Sequence, residues 1–172
     1  MGWKRLTKEN WLETDPVIAS GLFVQLSLTD GQATPMGPDS WAERILEPEL
    51  ASSVPAEVRG LFDVARGAML YGSLFYPLFT LGLEQLYRVG EAAVTLRVQP
   101  LGLSKKKTKT FENKLDALQD ASVLTAQQHQ QWSALRGLRN EASHPERQTI
   151  LAPGHALSLL HSLAAAINHL FP

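Results

Sequence analysis

The sequence predicts an all-α fold: a helical bundle of about five helices, preceded by an N-terminal arm carrying one strand or hairpin. Three observations predict it. Apolar residues recur at three/four spacing from about residue 40 onward. Helix start and stop signals divide that stretch at short intervals. Strand-like alternation is confined to one place, where Val24, Leu26 and Leu28 alternate with Gln25, Ser27 and Thr29 before the turn signal Asp30-Gly31. The expected boundaries are an arm over residues 1–38 and the bundle over 39–172.

Each element has its own signal. Trp3, Trp11 and Trp41 read as anchors for the arm. Pro35, Gly37 and Pro38 punctuate the chain, and Ser40-Trp41-Ala42-Glu43 spells a capping box that opens a short helix. Pro55 suits the first position of a helix running to about Met69 or Tyr71. Leu74 to Arg97 reads as the next helix, with Leu78, Leu81, Leu86, Val89, Ala93 and Leu96 as its apolar side and Pro100 beyond its end. A loop with Lys105, Lys106, Lys107 and Lys109 leads to a short amphipathic helix marked by Phe111, Leu115 and Leu118. Thr125 to Gln128 forms a second capping box, and the helix it opens should stop near His144, because Pro145 disfavours helical backbone in the residue before it. Gly154 starts the last helix, striped by Leu157, Leu160, Ala164, Ile167 and Phe171.

Composition narrows the function classes. At 172 residues and 44% hydrophobic, the chain suits one domain with a short appendage and can bury a core. Its net charge of -1 gives no overall pull toward nucleic acid or anionic membrane, so any such contact must be a local patch. With no cysteine, the chain has no disulfides, thiolate metal sites or thiol nucleophile. The uncharged run between Arg66 and Glu84 is interrupted by Gly67, Gly72, Pro77 and Gly82 and reads as buried helix rather than a membrane span. With no secretory leader pattern at the N-terminus, the expected location is cytoplasmic.

The most informative stretch is Leu135 to Pro145, LRGLRNEASHP. With Arg136 at zero and 100° per residue, Arg139, Ser143, Asn140 and His144 fall near about -60°, -20°, 40° and 80°. Leu138, Ala142 and Leu135 fall near about 200°, 240° and 260°. This arithmetic predicts an apolar stripe toward the core and a polar stripe of Arg136, Arg139, Asn140, Ser143 and His144 away from it. Arginine forks match phosphate oxygens, and histidine exchanges protons near neutrality, so the stripe reads as a phosphate site. The plainer alternative pairs Arg139 with Glu141 or Glu146 and leaves His144 as a cation at a helix C-terminus. Trp132 falls near about -40°, on the polar side, where it would stack a base or enter a dimer interface. The lysine run is a solvated turn that can also touch the phosphates of a bound strand.

The RNEASHP segment near the end of a late helix resembles the HEPN superfamily (higher eukaryotes and prokaryotes nucleotide-binding). LEQLYRVGEAAVTLR and FENKLDALQD are similar in character to that fold's central helices. The resemblance spans about residues 55–171. It implies a homodimer with a metal-independent endoribonuclease site shared between protomers. Arg139 would hold the scissile phosphate, Asn140 would occupy the motif's polar position and His144 would transfer protons. Arg136, Ser143, Lys105, Lys106 and Lys107 would contact RNA. A cognate inhibitor protein is a further implied partner. The alternative is a non-catalytic dimerisation, RNA-binding or adaptor module. No cofactor, metal or membrane is expected. Glu141-Ala142-Ser143-His144 spells Glu-x-x-His, but a di-iron bundle needs two copies and one occurs.

Overall fold

The architecture is built around one long helix. In the computed structural model described here, residues 2–20, 24–26, 31–142 and 153–172 are covered; side chains at 25, 26, 33–35, 38, 138–142 and 153 lie outside the description. The elements are α1 (Pro16–Ala19), β1 (Val24–Leu26), β2 (Ala33–Pro35), α2 (Pro38–Leu46), α3 (Ala56–Tyr71), α4 (Pro77–Val98), a 3-10 turn (Gln99–Leu101), α5 (Phe111–Asp120), α6 (Ala126–Ala142) and α7 (Pro153–Leu170). The bundle is all-α, and the one sheet described is a small antiparallel hairpin in the arm that pairs Val24 with Pro35 and Leu26 with Ala33.

Glycine makes α4 central. A Cβ on Gly82 would lie 2.4 Å from Met69 Cγ and 2.8 Å from the Ala65 carbonyl oxygen, so α3 is seated directly on the α4 backbone. A Cβ on Gly90 would lie 3.0 Å from Leu135 and 3.2 Å from Trp132 of α6, and 3.4 Å from Leu163 of α7. One helix thus receives α3 at one position and α6 with α7 two turns later. Val58, Phe62, Ala65 and Met69 supply the buried side of α3. Leu157, Leu160, Ala164 and Ile167 supply that of α7, as their spacing predicts, with Phe171 half-buried.

Several expected starts and phases are corrected. Proline at the first helical position opens α2 at Pro38, with Gly37 as the N-cap, so Ser40 and Glu43 lie inside the helix and form no capping box. Residues 72–76 turn, and α4 begins at Pro77 rather than Leu74. Its core side is Phe79, Leu83, Leu86, Val89, Ala93 and Val94. Leu81, expected inside, is 53% exposed, and Leu78 and Leu96 are half-buried. The helix is apolar on most sides, so spacing alone leaves its phase ambiguous, and the Gly82 contact with α3 sets it. Pro55 serves as the N-cap of α3 rather than its first residue. The Thr125–Gln128 capping box forms as expected, at 2.9 and 3.2 Å.

The arm is docked by a carboxylate rather than by indoles. Trp3 and Trp11 are largely exposed, whereas Trp41 is buried, donates from Nε1 to the Met69 carbonyl at 3.1 Å and packs on Phe79. Asp15 is fully buried and accepts from the backbone N–H of Val17 (3.0 Å), Tyr76 (3.1 Å) and Lys4 (3.3 Å). It caps α1 and ties the arm to the α3–α4 turn in one step. Burial, together with the nearby Asp15 charge, pushes the Tyr76 phenol up to about 12. At the opposite end of the chain, Asn168 of α7 accepts from the Ala51 N–H at 2.8 Å and donates to the Glu49 carbonyl at 3.0 Å.

Candidate functional site

α5 and α6 form an antiparallel pair whose outer face carries the described charged groups of interest. A capping box fixes the start of α5: Thr110 Oγ1 accepts from the Asn113 N–H at 3.1 Å, and Asn113 Oδ1 accepts from the Thr110 N–H at 3.3 Å. Glu112 and Asp116, one turn apart on α5, then face α6. His129 Nε2 lies 2.9 Å from Asp116 Oδ1, and the Arg136 guanidinium contacts the Glu112 carboxylate. Leu115 and Leu118 turn into the core on the other side.

This pairing sets the neighbourhood of the lysine loop. Lys105, Lys106, Lys107 and Lys109 are exposed, and the loop enters α5 at Thr110, two residues before the carboxylate that holds Arg136. The basic loop therefore joins the bundle at the C-terminal half of α6, the half that carries positions 139 and 140. A shallow open depression lies there, lined by Tyr87 and Glu91 of α4, Phe111 of α5, and Leu135 and Arg136 of α6. A fifth nearby lysine, Lys114, is turned inward and donates to Thr95 Oγ1 of α4 at 2.7 Å.

The predicted site residues fare differently. Arg136 is exposed but already paired with Glu112, so it is not a free guanidinium. Arg139 and Asn140 belong to α6, with side chains outside the description, and Ser143 and His144 lie outside the described residues. One placement on α6 is corrected. Trp132, expected on the polar side, is 3% exposed and packs against Gly90 beside Leu135. It is a core residue, which removes both its base-stacking and its dimer-interface readings.

His155 is exposed, His161 Nε2 lies 3.1 Å from the Arg44 carbonyl of α2, and His169 Nδ1 lies 2.8 Å from the Ala165 carbonyl. The site residue that spacing did not reveal is His129. Glu112 and Asp116 at i, i+4 were a visible pair, but their meeting with a histidine on another helix is a product of packing.

Residues 88–171, a little under half of the chain, match a family described as Domain of unknown function (DUF4145). The match runs from the middle of α4 through α7 and includes the lysine loop and the whole α5–α6 face. No curated protein and no solved structure matches the chain. Among the described residues, no helix is long and apolar enough to cross a membrane.

Proposed function

We propose that the protein is a HEPN-like RNA-binding endoribonuclease whose site lies at the C-terminal end of α6, shared between two protomers. The observation that carries this reading is the convergence of the exposed lysine loop with the Arg136 end of α6, next to Arg139 in sequence. Four lysines around a phosphate backbone supply affinity without sequence readout, and their contribution falls as salt rises. A net charge of -1 makes that local patch the source of attraction, since the chain as a whole has none.

The chemistry is metal-independent transesterification within RNA. His144 takes the proton from a ribose 2′-hydroxyl, whose oxygen attacks the adjacent phosphorus in line. The P–O5′ bond breaks, the 5′-oxygen leaves with a proton, and a 2′,3′-cyclic phosphate remains. Arg139 stabilises the charge on the phosphoryl oxygens, with Asn140 and Ser143 beside it. DNA lacks the attacking hydroxyl.

A second reading is a non-catalytic helical interaction module, in which α6, with Trp132 and Leu135 in the core, serves as scaffold. Exposed Val64 and Tyr71, seven apart on α3, and Leu81 on α4 are apolar surface such a module would use.

Labelled RNA incubated in EDTA with wild type or His144→Ala separates the two. The expected result is cleavage with cyclic-phosphate ends by wild type and a loss of about 10²-fold or more in the variant. Equal cleavage by both, or none by either, overturns the nuclease reading. RNA binding without cleavage, lost on replacing Lys105, Lys106 and Lys107 by alanine, supports the non-catalytic module.

A further inference from the structure

We propose that Glu112, Asp116 and His129 form a site for a divalent transition-metal ion such as zinc, on the outer face of the α5–α6 pair. This departs from the metal-free expectation of the sequence and is independent of the nuclease reading.

The geometry comes first. One potential ligand atom from each of the three residues lies within 4.8 Å of the other two. The 2.9 Å between His129 Nε2 and Asp116 Oδ1 is a hydrogen-bond distance; donors about 2.0–2.2 Å from a tetrahedral ion stand about 3.3–3.6 Å apart, so an ion would replace the bridging proton as the two groups separate by about 0.5 Å. The two carboxylates rise one turn apart from the same face of α5, and the imidazole enters from α6, so three ligands come from two helices already packed together. Glu112 has two oxygens; Arg136 uses one, leaving the other for an ion. The Arg136 contact then orients that carboxylate as an outer partner of the site.

Donor chemistry selects the ion. One imidazole nitrogen with two carboxylate oxygens suits zinc, cobalt or nickel, whereas magnesium and calcium favour oxygen ligands throughout. Three protein ligands leave a position for water. The site is also reachable: the His129 side chain is 18% exposed and that of Asp116 is 54% exposed.

Tag-free full-length protein titrated calorimetrically with zinc, and with cobalt followed by visible absorption, tests the site. The expected result is one saturable ion per chain at micromolar concentration, weakened at least about tenfold in His129→Ala, Asp116→Asn and Glu112→Gln. Circular dichroism checks that each variant keeps its helicity. No saturable binding up to about 1 mM (a dissociation constant that corresponds to only about 4 kcal/mol) overturns the proposal. So does binding that the three variants leave within about twofold of wild type, which would assign the ion to His155, His161 or His169.

Discussion

The α3–α4 and α5–α6 pairs are both antiparallel, yet they are held together by different physics. At α3–α4 the contact is backbone-close: Gly82 admits Met69 and Ala65, Gly72 admits Phe79, and no charge sits between the helices at those points. At α5–α6 the inner side is apolar, with Leu115, Leu118, Trp132 and Leu135 buried, while the outer side is bridged by Glu112–Arg136 and Asp116–His129. Close apolar contact secures the fold, because dispersion and burial scale with packed area. Exposed ion pairs add little stability, so charged groups on the outer α5–α6 face are free to serve binding. Glu112, Asp116 and His129 lie on that face, and the lysine loop enters α5 beside it.

The comparison can be broken or sharpened by mutation. The largest expected effect is at Trp132. Trp132→Ala empties a core position shared by α4 and α6 and should cost about 3–5 kcal/mol in chemical denaturation. A variant of unchanged stability that lost RNA affinity would return Trp132 to the surface and erase the distinction between the two faces of α6. Next comes Gly82→Ala. The added methyl meets backbone atoms of α3, and overpacking of about 1–3 kcal/mol exceeds the helix-propensity gain of about 1 kcal/mol, so the melting temperature should fall by a few degrees. A rise would mean that α3 and α4 can separate without cost. The smallest is Arg136→Ala, which removes an ion pair whose side chains are 43% and 40% exposed. A loss below about 1 kcal/mol is expected, and a larger one would give the outer face a structural role.

The two halves of α6 show what was legible before folding. Its capping box at Thr125 and Gln128 was readable because both partners lie within one turn. Trp132 was misplaced: its phase falls between Leu135 and Arg136, and it was assigned to the polar side although it is buried. Helix α4 repeats the lesson, with an apolar sequence on most sides and Leu81 outside instead of Phe79. Proline and glycine positions located the elements well but shifted starts by up to three residues at Pro38, Pro55 and Pro77. For the candidate site, RNEASHP and the lysine run were visible as text, whereas the meeting of His129 with Asp116 was not.

By itself the sequence determined the helical class, the order of the main segments, the capped start of α6 and the absence of thiol chemistry. Those follow from local spacing, from caps that close within a turn, and from composition. Only the tertiary structure decided which side of α4 faces inward, that Trp132 is buried, that Asp15 joins the arm to Tyr76, and that α5 brings two carboxylates against His129 and Arg136. Such contacts depend on how separate helices rotate and approach, and no periodicity within a single segment encodes that.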